Sequence, residues 1–489
     1  MTAETSSSRP LTSDKPRKIS ATSIAIVAGV CKALDALVIV LGVDIAYRIL
    51  ALFHSNVLTE ESRYILTSLI VAVVFVAIFE KAGGYTAKHL PATGTQFYRV
   101  SLIWLSIQCW GLLMIYPLHG HSGYSVEFLA VWALDSLVLL YILRFGLALF
   151  FRRWRQVGAL QRKVVVIGAG ETGSRIVQTL QDSPQHYAVL GIFDDRQDRV
   201  PPHLHGVPVL GTIQDLQTFA RSELPDEIIV TLPIASSNRL STVFRSLTML
   251  PVDLRLTCET IAPGFRLRNV SYIGATPVLD IFHRPLKDWG GVYKWLEDKI
   301  LSSIILLLLS PVLLVIALLI KLDSPGPVFF KQDRYGFNNR VIKVLKFRSM
   351  YVDRSDVTGA QQTVRGDRRV TRVGRVLRSF SLDELPQLIN VLRGDMSLVG
   401  PRAHAVAMKI GEKLYNDTVD EYFARHRVRP GLTGLAQING FRGEISGVES
   451  ARKRVEHDLE YIDNWSIWLD LEIIVKSVVV VLFTRENAY

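Results

Sequence analysis

The sequence predicts a helical membrane bundle followed by α/β units. Three observations carry this reading. Four apolar runs, near residues 23–47, 64–79, 100–116 and 128–151, each approach the ~20 residues needed to cross hydrocarbon. Apolar residues make up 49% of the 489, and the mean hydropathy is positive. Beyond residue 161, apolar strand-like segments alternate with helical patterns, the mark of a parallel sheet.

Residues 1–18 form a polar tail rich in Ser and Thr, predicted to be disordered and without a cleavable leader pattern. The bundle is assigned to 19–155. Arg9, Lys15, Arg17 and Lys18 precede its first run, Lys81, Lys88 and Arg99 lie between the second and third, and Arg152, Arg153 and Arg155 follow the fourth. The other two connections hold only Arg63, offset by Glu60 and Glu61, so both ends of the bundle are expected on the cytoplasmic side. Asp35, Asp44 and Asp135 lie within or beside the runs. Such acids mark a transport path, pair with a cation such as Lys32 or Arg144, or cap a helix. The net charge of +11 fits an anionic leaflet or a nucleotide substrate; beside membrane segments it argues against nucleic acid. Cys31, Cys109 and Cys258 are too far apart for a CxxC pair or a disulfide framework.

A Rossmann-like unit is assigned to 156–262. "KVVVIGAGETGSRIVQTL" reads as strand, glycine turn and helix, with Gly168, Gly170 and Gly173 spelling G-x-G-x-x-G. Asp194 follows a second strand, "YAVLGIF", and "VPVLG" and "EIIVTLP" read as further buried strands. The glycines let a backbone approach a pyrophosphate at a helix N-terminus. NAD or another nucleotide is one occupant; a scaffold with a degenerate or regulatory site is the other reading. Residues 263–292 read as a linker.

The run 299–321, "LLLLSPVLLVIALL" at its heart, carries Ser310 and Pro311 in mid-helix. Proline removes a backbone hydrogen bond and bends the helix, and Lys299 and Lys321 flank the run without asymmetry. A kinked span and a re-entrant helix broken at Ser310 and Pro311 both follow from this pattern. The last run, 465–483, carries Asp470, Glu472 and Lys476, which suits an interfacial amphipathic helix better than a span.

Between these runs lies "RGDRRVTRVGRVLRSFSLDELPQL". Arg365, Arg368, Arg369, Arg372, Arg375 and Arg378 recur at helical spacing, giving a basic face for headgroups or phosphates. Ser381 and Glu384 spell a capping box, but Pro386 favours Asp383 as the cap of the next helix. A carboxylate there stays ionised beside phosphate and is placed to act as a nucleophile.

"SPGPVFFKQDRYG", "KFRSM", "SLDELPQLINVLRGDMSLVGPR" and "RPGLTGLAQINGFRG" together resemble the motif set of the bacterial polyprenyl-phosphate sugar phosphotransferases. The resemblance covers about the last two hundred residues. The preceding bundle and Rossmann-like unit resemble the larger, undecaprenyl-phosphate glucose phosphotransferase type. It implies a catalytic domain at 293–489 on a re-entrant helix, in a multi-pass protein of the bacterial inner membrane whose Rossmann-like and catalytic units face the cytoplasm. It also implies transfer of a sugar 1-phosphate from a UDP-sugar to undecaprenyl phosphate, in the first membrane step of exopolysaccharide, capsule or O-antigen synthesis. Asp383 would be the nucleophile, with Glu384 assisting or helping to hold Mg²⁺. Arg378 is the first phosphate ligand expected, followed by Lys331, Arg334, Lys346, Arg348 and Arg402, and Asp395 joins the metal set. Glucose is the expected sugar and galactose its rival; a homodimer is plausible by symmetry. One departure stands out: Ala403 follows "GPR" where the family usually has Pro. Two other readings are a membrane-anchored nucleotide-sugar dehydratase or epimerase and a non-enzymatic membrane sensor. The first normally needs Tyr-x-x-x-Lys, and no tyrosine here has a lysine four residues later.

Overall fold

The computed structural model describes residues 24–53, 61–86, 93–119, 126–156, 161–232, 243–257, 270–356 and 367–483, apart from short gaps within the last four stretches. The expected tail 1–18, Lys88, Cys258 and Arg365 lie outside the described residues. The chain divides into two compact units, Met1–Gln161 and Arg162–Tyr489.

In the first unit the four apolar runs form α1 (Ile24–Phe53), α2 (Glu61–Lys81), α3 (Thr93–His119) and α4 (Val126–Gln156). Ile39, Phe75, Trp104 and Leu140 are fully buried among them, while Leu52, Val73, Leu113 and Leu134 project outward. A water-soluble bundle would not present so much apolar surface. The acids resolve into local pairs. Asp35 is buried against Arg144 and accepts a hydrogen bond from Tyr85 Oη at 2.6 Å. Asp44 pairs with Arg48 at 2.7 Å, and Asp135 accepts from Ser136 Oγ at 3.2 Å. Each acid thus has a partner within the bundle.

The second unit opens on an eight-stranded sheet. Its strands are β1 (Arg162–Ile167), β2 (Tyr187–Phe193), β3 (His203–Leu204), β4 (Val207–Gly211), β5 (Glu227–Val230), β6 (Asp253–Thr257), β7 (Val270–Ile273) and β8 (Thr276–Phe282). They lie in the order β3-β4-β2-β1-β5-β6-β8-β7. The five from β4 to β6 are parallel, which is the 3-2-1-4-5 order of a doubly wound sheet with its switch point between β1 and β5. Their Val- and Ile-rich runs are buried on both faces, as parallel strands under helices must be. The segment expected to be a linker, 263–292, is not one throughout: β8 pairs antiparallel with β6 and β7 with β8, extending the sheet. Alternating apolar residues there supply the extra strands, and β8 buries Val278.

A 35-residue helix follows: Trp289–Asp323 runs through Ser310 and Pro311 without a gap. It begins ten residues before the expected 299. The reason it survives Pro311 is local. Pro311 has no N–H for the Leu307 carbonyl, and Ser310 Oγ donates to that carbonyl at 2.7 Å instead. Among the described residues, four helices are long and apolar enough to cross a membrane: α1, α2, α4 and this one. Helix α3, which carries Arg99 and Gln108, is not among them, so the expected set of four spans within the bundle is not the set found.

The remaining chain is a mixed α/β layer. It comprises a hairpin of β9 (Phe329–Tyr335) and β10 (Val341–Phe347), short helices Arg372–Ser379 and Gln387–Arg393, a parallel pair β11 (Ser397–Val399) and β12 (Gly431–Thr433), and two terminal helices, Val448–Asp463 and Ile467–Phe483. Leu388, Val391, Met396, Val399 and Ile473 close one core between them. On the last helix Glu472 and Lys476 form an exposed pair, but Asp470 is fully buried, held by Lys294 at 2.6 Å, Tyr461 at 2.8 Å and Trp465 at 2.9 Å. Only part of the expected polar face is therefore polar.

Candidate active site

Thr371 opens the basic helix: its hydroxyl accepts from the Gly374 N–H at 2.9 Å. The helix is short, Arg372–Ser379, so the expected six-arginine face is not continuous. Arg369 lies before it and grips Asp367 at 2.6 Å; Arg372 and Arg375 are exposed, and the charge of Arg378 acts on the Asp383 carboxylate. The helix buries Leu377 against Ile316, Ile320 and Phe347.

Ser381 then turns the chain with φ +55°, a left-handed conformation that costs a non-glycine residue roughly 1 kcal/mol. A single 3-10 turn, Leu382–Glu384, carries the acidic pair, and the α-helix starts only at Gln387, after Pro386. Asp383 is therefore not the helix cap expected; Pro386 sits at that position. Ser381 does not cap with its side chain either.

The two acids have different surroundings. Glu384 Oε1 accepts from Lys346 Nζ at 2.8 Å and Arg402 Nη2 at 2.5 Å, and Oε2 accepts from Arg402 Nη1 at 3.1 Å. That bidentate clamp outweighs the cost of burial and holds Glu384 well below the usual carboxylate range. Asp383 is 6% exposed, and among the described residues no group hydrogen-bonds to its carboxylate. Burial pushes its pKa up, against the pull of Lys346 and in step with the charge of Glu384. Two adjacent acids driven in opposite directions are the pattern of divided roles.

Strand alternation selects the cations. Arg334 pairs with Ile342 and Phe330 with Lys346 across the hairpin, so Arg334 and Lys346 share one face, and Lys331, opposite Leu345, lies on the other. Lys331 is exposed there and is not brought to the acids. Arg348, expected to bind phosphate, is buried and instead donates to the carbonyls of Ile320, Ser324 and Pro325 at 3.2, 2.7 and 2.5 Å, closing the end of the long helix. Arg334 donates to the Ala403 carbonyl at 2.8 Å, and Ala403 itself is buried, so alanine fits this turn. Four cations, Arg334, Lys346, Arg378 and Arg402, thus act on two carboxylates, an excess of positive charge suited to a diphosphate.

Sequence reading missed the support beneath Arg402. Arg425 is fully buried, donates to the Arg402 carbonyl at 2.8 Å and pairs with Asp458 at 2.6 Å. Its other amine meets His404 Nδ1 at 2.5 Å; burial, then Arg425, hold that ring neutral, well below the usual histidine range. "ARHRVRP" reads as surface charge, and only the fold shows that Asp458 meets it.

Among the described residues no three His, Cys, Asp or Glu side chains gather as a metal site. Asp395 is not grouped with the acidic pair, and Glu384 is already engaged by two cations. The expected three-carboxylate set is therefore not formed. A Mg²⁺ here would be held by Asp383 alone among these carboxylates, with water and substrate phosphates completing its shell.

At the other site, Gly173 is required: a Cβ there would stand 2.0 Å from the Gly168 carbonyl oxygen. Gly170 precedes the helix Glu171–Gln181. Asp194 lies beside this turn, but its carboxylate accepts from the Ala169 N–H at 2.9 Å and from Arg196 at 2.8, 2.9 and 3.1 Å. Against the cost of burial these bonds lower its pKa to about 2. A carboxylate so engaged does not fit the ribose-binding role that NAD would require of it.

Residues 289–484 match the family described as bacterial sugar transferase, and residues 80–258 match one described as CoA-binding domain. The chain is 38% identical over 422 residues to a UDP-glucose:undecaprenyl-phosphate glucose-1-phosphate transferase of Klebsiella pneumoniae, covering 84% of this chain and 88% of the relative. It is 33% identical over 493 residues to the protein so named in Xanthomonas campestris pv. campestris, covering 99% of each. This chain belongs to the bacterial polyprenyl-phosphate sugar phosphotransferases. An undecaprenyl-phosphate glucose phosphotransferase of Komagataeibacter xylinus is 42% identical over 332 residues, 68% of this transferase and 60% of the relative. The transferase is a membrane enzyme, and the match to the sugar transferase family contains every residue of the acidic pair and its four cations.

Proposed function

We propose that this transferase moves glucose 1-phosphate from UDP-glucose to undecaprenyl phosphate and releases UMP. The observation that carries the reading is the contrast between Glu384, clamped by Lys346 and Arg402, and Asp383, buried beside it with no direct partner among the described residues. An oxygen of Asp383 attacks the β-phosphorus of the UDP-sugar. The bond from that phosphorus to the bridging oxygen breaks, and UMP leaves with the electron pair. A phosphate oxygen of undecaprenyl phosphate then attacks the same phosphorus, and Asp383 is released unchanged. Arg334, Arg378, Lys346 and Arg402 offset the negative charge that would otherwise keep a carboxylate from a diphosphate. Glu384 fixes Lys346 and Arg402 in place. A bound Mg²⁺ would add charge neutralisation on the phosphate oxygens.

Relatives named as glucose-1-phosphate transferases support glucose; one named UDP-galactose-lipid carrier transferase, from Erwinia amylovora, keeps galactose as the alternative donor. A relative from Rhizobium leguminosarum bv. phaseoli named exopolysaccharide production protein, 56% identical over 188 residues, supports a place in exopolysaccharide synthesis. The protein lies in the bacterial inner membrane with its catalytic unit facing the cytoplasm, where UDP-sugars are. For the catalytic unit to stay there, the helix Trp289–Asp323 would return to the leaflet it enters, and Pro311 is where it lacks a backbone hydrogen bond. The test is UMP release by membranes given a panel of UDP-sugars, with and without undecaprenyl phosphate. UDP-glucose with the lipid acceptor should give the fastest release; equal release from all donors, or none, overturns the reading.

A further inference from the structure

Strand β10 supplies Lys346, yet among the described residues it pairs with another strand on one side only, the β9 side. On its other side the Leu345 N–H and the Lys343 carbonyl face the helix Gln387–Arg393. One side chain answers both. Asn390, fully buried, accepts from the Leu345 N–H at 2.9 Å and donates from Nδ2 to the Lys343 carbonyl at 2.9 Å. An asparagine amide carries one acceptor and one donor at the spacing a neighbouring strand would offer. No carboxylate or aliphatic side chain does both.

The location gives this bond its meaning. Asn390 lies seven residues after Asp383, on the helix that directly continues the acidic turn. Lys346 lies one residue after Leu345 and reaches Glu384 at 2.8 Å. The amide therefore ties the helix that follows the acids to the strand that holds their lysine. The main-chain grip of Asn390 extends to the far end of its helix, where its carbonyl accepts from the Gly394 and Asp395 N–H groups, both at 3.0 Å. We propose that Asn390 is a positioning residue for phosphoryl transfer: it substitutes for a missing strand on the open edge of β10 and thereby sets Lys346 against the acidic pair. Lys346 faces the reacting groups; Asn390 touches neither substrate nor acid and acts through it.

This inference rests on the function proposed above, and the two fail differently. The test measures kcat and KM for UDP-glucose in purified full-length protein with undecaprenyl phosphate, in Asn390→Ala and Asn390→Leu. Leucine fills nearly the same volume without either hydrogen bond, which separates lost bonds from a cavity. Both variants are then combined with Lys346→Met. Expected is a fall in kcat of about ten-fold in each Asn390 variant with KM changed by less than about two-fold. In the Lys346→Met background the same substitutions should lower kcat by less than about two-fold, because the lysine they position is gone. Wild-type kcat in Asn390→Leu, or an equal fall in both backgrounds, overturns the proposal. Transfer that persists in Asp383→Asn would overturn the function itself, whatever the Asn390 variants do.

Discussion

At the scale of the residue, the two acids of one turn carry opposite burdens. Glu384 gains from its cations; Asp383 is buried with no direct hydrogen-bond partner among the described residues, and burial raises its pKa. A carboxylate whose folded pKa lies above its unfolded value binds its proton more tightly in the native state. It destabilises that state once both forms are ionised, and the penalty disappears as pH falls through the folded pKa. Asp383→Asn should therefore raise the melting temperature at neutral pH while removing activity, and the gain should shrink on acidification. Calorimetry at two pH values checks it; a lower melting temperature in Asp383→Asn contradicts it. As the proposed nucleophile, Asp383 would also set the acid limb of the rate profile. Lys346 is the strongest charge lowering the Asp383 pKa, so Lys346→Met should move that limb to higher pH. Arg402→Lys should cost about ten-fold in kcat, since an ammonium cannot reproduce the two-pronged clamp on Glu384.

At the scale of the element, the ends of helices and strands decide what the site can be. Arg348 holds three carbonyls at the end of the helix Trp289–Asp323. Arg348→Met should destabilise this unit by about 2 kcal/mol by leaving buried carbonyls unpaired, with little change in KM for UDP-glucose. Thermal unfolding with parallel kinetics checks both halves. In the parallel sheet, Asp194 has a folded pKa of about 2 against an ordinary 3.8, so its bonds stabilise the glycine turn above pH ~4 and are lost as pH falls toward 2. Asp194→Asn should speed hydrogen exchange at Ala169 near neutral pH, and the difference should vanish below pH ~2. Much of this was legible beforehand. Short apolar runs bounded by turn residues announced β1, β2, β4 and β5, and the acidic pair stood out beside Pro386. The roles of individual cations were not legible. Lys331 and Arg348 sit in the same short motifs as Arg334 and Lys346; the register of the hairpin separates the first, and three carbonyls at the end of the long helix claim the second. The partners of Arg425 and Asn390 lie 33 and about 45 residues away in sequence, a separation no local pattern encodes.

At the scale of the whole molecule, the question is which leaflet receives the catalytic residues. The Ser310 hydroxyl satisfies the Leu307 carbonyl that Pro311 leaves open, so the long helix accommodates proline without exposing backbone to lipid. The re-entry proposed above has the chain return to the side it entered from. A cysteine replacing Ser324 should react with a membrane-impermeant maleimide from the cytoplasmic side in inverted vesicles; reaction only in intact, right-side-out cells contradicts re-entry. The proposed function turns on one covalent step at Asp383. The direct measurement is to incubate the purified protein with UDP-glucose radiolabelled in the sugar, omit undecaprenyl phosphate, and look for label on the peptide containing Asp383. The account predicts labelled protein with matching UMP release, discharge of the label on adding undecaprenyl phosphate, and no label in Asp383→Asn. Transfer of sugar phosphate to the lipid by Asp383→Asn would contradict it.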